Sequence, residues 1–358
     1  MPSLKEIKGR INSISSTLAI TSAMKMVAAA KLQKAQMAIQ NMLPYERRLY
    51  SMLVDLMGAM NISAAASEDG SVRGSGSAER GFDQSGDRLS LSNRHDLAGM
   101  DGAYSLMAQR EVRKVAIVAF ASNSSLCGAF NSNAIREATA VINEYRASGL
   151  RDSDIVVYSV GRKMAEAMKK LGFPSPADFT KMSDSPSYDA ASALAQELFD
   201  GFVSGRFDKV ELVYNHYKST SSQPTTRQTY LPLSLADAIA DLQAGKIADS
   251  ASESDTNRGA EPVGAPVVRQ GSPTTEDLIV EPSKEELIAT LLPKVIRLRI
   301  FTTLLDSAAA EHAARTVAMQ LATDNGNDLL QELTLEYNKG RQQKITSEIL
   351  DLVGGSMQ

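Results

Sequence analysis

The stretch from Leu4 to Met42, "LKEIKGRINSISSTLAITSAMKMVAAAKLQKAQMAIQNM", decides the fold. Leu4, Ile7, Ile11, Ile14, Leu18, Thr21, Lys25, Ala28, Leu32, Ala35, Ile39 and Met42 fall at alternating spacings of three and four. That is the seam of a coiled coil sustained over many turns, interrupted only at Thr21 and Lys25. Ser3 stands where an N-cap belongs, and Glu6, three residues on, completes a capping box. Pro44 is expected to kink the helix, after which Leu49, Leu53 and Leu56 resume the pattern before Asn61. Residues 1–61 therefore read as one long helix.

The far end of the chain supplies a partner. "PSKEELIATLL" leads into it, Pro293 is expected to be a break or a first-turn residue, and Lys294 to Asn325 contains neither Gly nor Pro. Leu333, Tyr337, Ile345, Ile349 and Leu352 extend one face until a Gly pair stops the helix. Within "YNKGRQQKITSEIL" (337–350) the tip turns polar, and Gly340 should cost about 1 kcal/mol against Ala. Sixty helical residues span roughly 90 Å. A stripe that long cannot be buried in a domain of this size, but two such helices can bury their stripes in each other. The expected solution is an antiparallel coiled coil of N- and C-terminal helices, the latter in residues 277–358.

Between them the pattern alternates. Residues 112–122, 154–161 and 209–219 read as strands, separated by helical stretches at 132–148, "RKMAEAMKKLG" and "ASALAQELFDGFVSG", with "TRQTYLPL" as a further edge strand. Strand and helix in alternation mean a mostly parallel sheet with crossover helices, a Rossmann-like α/β domain over 111–243. Ser-, Gly- and Asp-rich composition marks 62–110 and 244–276 as flexible insertions.

The chain has 358 residues, a net charge of -4 and one cysteine, Cys127, so no internal disulfide can form and a reducing compartment is expected. No apolar run is long enough to span a membrane, so no direct membrane insertion is expected. The basic N-terminal face, carrying Lys5 to Lys34 with only Glu6 acidic, reads as mature structure rather than a targeting segment, and without an aromatic platform it does not point to nucleic acid. Neither phosphate-loop signature occurs in strand-to-helix context. The loop "SNSSLCGAFNSN" could cradle an anion, though an ordinary strand-to-helix turn uses the same residues. Cys127 has no visible link to His216 or His312, His312 and Arg315 read as a solvated or seam-edge pair rather than a catalytic one, and no metal-ligand cluster has usable spacing. An α/β enzyme on a coiled-coil handle and a structural adaptor clamping partners between long helices both remain open at this level.

Four separated stretches narrow the choice. "ITSAMKMVAAAKLQKAQ", "LCGAFNSN", "LVYNHYKSTSSQPTTRQTYLPL" and "EHAARTVAMQLATDN…LTLEYNKGRQQKITSEILDLVGG" together resemble the gamma subunit of F-type ATP synthase. The resemblance covers both termini and the middle domain in order, failing only at the two insertions. With no leader ahead of the helix, it implies a bacterial member at the cytoplasmic face of the inner (plasma) membrane, peripheral to it. It implies a central rotor shaft that couples proton flow to ATP synthesis in the beta subunits and regulates ATPase activity. No catalytic residue, cofactor or metal of its own is implied. The implied partners are alpha and beta subunits, three of each, the epsilon subunit and the membrane c-ring. Carried over residue by residue, Met24 and Lys25 would face the acidic loop of beta subunits, with Lys31 and Lys34 nearby. Arg341, Gln342, Thr346 and Asp351 would touch beta at the tip. The family's "SDRGLCGG" is "SNSSLCGA" here, losing an Asp and an Arg.

Overall fold

The computed structural model describes residues 3–69, 106, 110–233 and 283–355. Helix α1 spans Leu4–Asp69 and α6 spans Lys284–Gly355. Between them come β1 (Val115–Phe120), α2 (Phe130–Ala147), β2 (Ile155–Val160), α3 (Arg162–Lys170), α4 (Thr180–Asp184), α5 (Tyr188–Val203), β3 (Lys209–Asn215) and β4 (Thr225–Leu231). The sheet order is β2-β1-β3-β4. β1 runs parallel to both neighbours, and β4 closes the edge antiparallel to β3.

The fold expectations hold at this level, with two corrections. Pro293 sits inside a continuous helix instead of breaking it or opening its first turn, while Pro44 lies within α1, which runs through it as expected. A proline removes one backbone hydrogen bond and crowds the preceding turn. Tertiary packing offsets this: Leu49, Leu53 and Leu56 follow the first, and Leu291, Leu292, Val295 and Ile296 flank the second, all buried. The second correction is that α1 runs on to Asp69, into the segment read as an insertion. The rest of that segment, apart from residues 106 and 110, and all of 244–276 lie outside the described residues.

Alternation along β1 sends its side chains to opposite faces. Val115, Ile117 and Ala119 pack with Ala134, Ala138, Val141 and Ile142 of α2 and with Met164 and Met168 of α3. Ala116, Val118 and Phe120 face the other way, onto Leu194, Leu198 and Phe202 of α5. Beside α5, in the same core, stand Ile288 to Leu304 of α6 and Leu49 to Leu56 of α1, and Tyr230 of β4 donates directly to the Ile296 carbonyl of α6 (2.9 Å). The shaft helices are thus the third layer of the domain, and one apolar core holds the two together.

The edge strand is held by charge as well as by its ladder. Glu211 of β3 is 1% exposed, yet accepts from Arg227 Nε (2.7 Å), from Arg227 Nη2 (3.0 Å) and from Tyr145 Oη (2.6 Å), with Lys209 Nζ at 2.7 Å. Burial pushes the Glu211 carboxyl up, but these partners outweigh it and hold the group below its ordinary value. A carboxylate held low stabilises the fold above its unfolded pKa, and that contribution is lost as pH falls through the folded value. Arg227→Met is expected to lower the unfolding free energy by about 3 kcal/mol or somewhat less, because Lys209 and Tyr145 remain to face the orphaned charge. Denaturant melts at neutral pH check this, and the difference from the parent should shrink in acid.

Candidate functional site

All twelve seam positions from Leu4 to Met42 are buried or half-buried, Thr21 and Lys25 among them. The opposing contacts run in reverse order along α6: Leu4 against Gly340, Leu18 against Gly326, Thr21 against Thr323, Lys25 against Gln320, and Leu32 against Ala309 and Ala313. The pairing is antiparallel. The polar interruption is satisfied across the seam, since Thr323 Oγ1 donates to Thr21 Oγ1 (3.1 Å) and Lys25 Nζ donates to Gln320 Oε1. A buried polar group without a partner would cost about 1–3 kcal/mol, so these matched pairs also favour one register over its neighbours.

Along its length α6 passes through three environments. From Val295 to Met319 nearly every side chain is buried or half-buried, because α1 lies on one side and the α/β domain on the other. Beyond that, among the described residues, only Gln320, Thr323, Gly326, Leu330, Leu333, Tyr337 and Gly340 are covered, a single stripe against α1. From Arg341 to Leu350 every side chain is exposed. The reason is geometric. Leu4, the first residue of α1, already faces Gly340, so the last fifteen residues of α6, about 22 Å of helix, have no companion among the described residues.

This corrects the expectation of a continuous packed face to Leu352. Leu333 and Tyr337 lie in the seam, but Ile345, Ile349, Leu350, Leu352 and Val353 are exposed. The tip is not simply polar; it presents five large apolar side chains beside its polar ones. Such a surface is costly in water and marks a place where another molecule belongs.

The residues singled out for contact fall into two groups about 32 Å apart along the shaft. Met24 is exposed at the height of Gln320, within a collar of exposed Ile20, Met26, Val27 and Leu321. Lys25 points into the seam rather than outward, while Lys31 and Lys34 are exposed. Arg341, Gln342 and Thr346 are exposed on the bare tip, where Thr346 Oγ1 donates back to the Gln342 carbonyl (2.9 Å). Asp351 belongs to the same helix, and its side chain lies outside the described residues.

The sequence reading missed Gly326. A Cβ built there would lie 2.6 Å from Leu18 Cδ2, whereas at Gly340 the nearest atom, Leu4 Cδ2, is 3.2 Å away. Both glycines let the helices close up, and Gly326 is the tighter of the two. The signal was available as a lone Gly in a long helix, whose usual reason is packing.

In a parallel α/β sheet the ligand crevice opens where neighbouring connections depart in opposite directions, here beyond the carboxyl ends of β1 and β3. Cys127 and Phe130 pack there directly on Ala310 of α6, with Tyr217 and Ala314 beside them. Asn215 Nδ2 donates to the Phe130 carbonyl (3.1 Å), and Arg315 Nη2 donates to Ser124 Oγ (2.7 Å). The shaft fills the place where such folds hold a ligand. Asn131 Nδ2 lies 3.1 Å from the buried Cys127 sulfur, so the thiol is a packed group. His312 and Arg315 do not pair. Arg315 bonds Glu311 (2.6 Å), and burial, with help from Arg315 and Lys31, pushes His312 down to about 4.

Three comparisons with known proteins bear on this geometry. The family model described as ATP synthase matches residues 3–357. A protein of Phocaeicola vulgatus named ATP synthase gamma chain is 47% identical over 357 residues, covering 100% of each chain. One of the same name from Flavobacterium psychrophilum is 35% identical over 356 residues, covering 99% of this chain and 98% of that one. Among solved structures, a chain of the Euglena gracilis mitochondrial ATP synthase superposes with a TM-score of 0.54 at 18% identity, covering 99% of this chain and 93% of that one. A second, from the rotor of the same enzyme, gives 0.51 at 18% identity over 96% and 98%. These structures show the fold.

Gly326→Val should prise the seam open, costing about 1–3 kcal/mol as overpacking does, and Leu18→Ala in the same chain should recover part of the loss. Thermal melts followed by circular dichroism, on the single and double variants, check both halves.

Proposed function

Because the chain belongs to the ATP synthase gamma-chain family, the non-catalytic central stalk of the F-type enzyme, we propose that its two terminal helices form the shaft that turns inside a ring of three alpha and three beta subunits. The observation that carries this reading is the bare end of α6. A single helix projects beyond α1 with polar and apolar side chains exposed on all sides, and a sleeve around it would cover both.

Work is transmitted by unequal contact. A ligand shifts a conformational equilibrium only as far as it binds the alternatives differently. A shaft whose faces differ offers each surrounding beta subunit a different surface at any instant, and rotation exchanges those surfaces. At the neck, Met24 supplies an exposed apolar contact, and the exposed Lys31 and Lys34 supply positive charge for acidic beta loops, while Lys25 is held in the seam by Gln320. At the tip, Arg341 offers a forked donor for carboxylates or carbonyls, with Gln342, Thr346 and Asp351 as further polar contacts. Met24, Lys31, Lys34, Arg341, Gln342 and Thr346 are exposed, so each contact would be modest, which suits bonds made and broken in every turn.

The α/β domain is the foot, where the epsilon subunit and the c-ring would attach and deliver the torque of proton flow. The single core shared by α1, α5 and α6 supports this, since a foot welded to the shaft passes torque on without slipping. No helix among the described residues is long and apolar enough to cross a membrane, which agrees with attachment through partners at the cytoplasmic face of the bacterial inner membrane.

Reconstitution with alpha and beta subunits, followed by an ATPase assay, tests the proposal: the chain should stimulate hydrolysis, and no stimulation would overturn the reading. Arg341→Ala combined with Gln342→Ala is expected to lower the stimulated rate about tenfold, equivalent to about 1.4 kcal/mol in the barrier. The helicity of the isolated chain should stay unchanged, because neither side chain touches the seam.

A further inference from the structure

Two polar pins fasten the carboxyl end of the sheet to the shaft, and only one of them contains a histidine. In the first, Arg315 of α6 holds Ser124 of the loop after β1 and pairs with Glu311 on its own helix. In the second, Asp306 of α6 takes two bonds from the chain leaving β3. His216 Nδ1 lies 2.7 Å from one carboxylate oxygen, and the Tyr217 amide donates to the other at 2.9 Å. Tyr217 is held from the opposite side as well, its hydroxyl accepting from Gln36 Nε2 of α1 (2.6 Å). One dipeptide thereby ties the foot to both shaft helices.

We propose that Asp306 is the positioning residue that seats the carboxyl end of β3 on the shaft, and that protonation of His216 sets how firmly it does so. This rests on the rotor reading above. The apolar contacts of α5 with α6 carry the permanent attachment. The Asp306 pin lies at the other edge of the joint, where a change in its strength alters the torsional stiffness between foot and shaft rather than the attachment itself.

The surroundings of His216 support a titrating pin. It borders a cleft of about 400 Å³ between α1, α6 and the ends of β3 and β4. Facing the cleft are Glu46, Arg47 and Tyr50 of α1, Arg299 and Asp306 of α6, Tyr214 of β3 and Tyr217 just beyond it. Lys218 follows on the same loop. The hydrogen bond with Asp306 raises the His216 pKa above its ordinary 6.5, while burial and Lys218 oppose the rise. A histidine raised in this way contributes its full stabilisation below the unfolded pKa and loses it as pH climbs through the folded value. The pin is therefore firm in acid and loosens towards alkaline pH.

Hydrogen exchange on the chain assembled with alpha and beta subunits tests the pin directly. After correction for the intrinsic rate, protection of the Tyr217 amide should fall at least about threefold from pH 6 to 8.5, as expected when release of the pin makes local opening more frequent. His216→Gln should abolish that dependence, and Asp306→Asn should lower protection at every pH. Amides of β1 serve as the control and should not move. In the holoenzyme in vesicles, the ratio of proton pumping to ATP hydrolysis should vary less with pH in His216→Gln than in the parent, with hydrolysis retained. Flat Tyr217 protection in the parent chain, or an unchanged pH dependence in His216→Gln, would overturn the proposal. Failure of the chain to stimulate hydrolysis would instead remove the rotor reading, whatever the exchange data show.

Discussion

The antiparallel seam between α1 and α6 is the interaction on which the rest of the molecule depends. Each helix is about 100 Å long and could not bury its apolar stripe by itself. Because the strands come from the chain between them, closing the seam also brings together the two ends of the α/β domain. The same two helices then serve as one layer of that domain, so shaft and foot share a core instead of meeting at a hinge. A single register, fixed by Thr21 with Thr323, Lys25 with Gln320 and Leu18 with Gly326, decides where the tip of α6 emerges uncovered.

Much of this was legible in the residues. Every position that the spacing of Leu4 to Met42 picked out is covered, because a seam imposes a period that few other structures require. The parallel strands were equally plain, since a strand buried on both faces, such as β1, is apolar throughout. Continuity through Pro293 was not legible. A local penalty argues for a break, and only packing from distant segments overrides it. The exposed state of Ile345, Ile349 and Leu352 was hidden for a related reason. Periodicity says that a face is apolar, but not whether a partner reaches it. That depends on α1 beginning opposite Gly340, a property of the pairing and not of either helix.

The contact residues divide in the same way. Arg341, Gln342 and Thr346 were named by resemblance, and they stand on the bare tip. Lys25 was named for an outward charge, yet it is held in the seam by Gln320, leaving Met24 and the exposed Lys31 and Lys34 as the outward groups at the neck. The pins at Asp306 and Arg315 were not legible, because each joins residues far apart in the chain and no local spacing announces them. They follow from how the sheet is seated. With α6 laid over the carboxyl ends of β1 and β3, the loops that usually hold a ligand hold the shaft.

That arrangement suits a mechanical role, and direct observation of motion tests it. With the alpha and beta subunits fixed to a surface and a visible probe attached through Lys169, on the exposed face of α3, addition of ATP should turn the probe continuously in one direction. A probe that stays at a fixed angle while the same complex hydrolyses ATP would contradict the account.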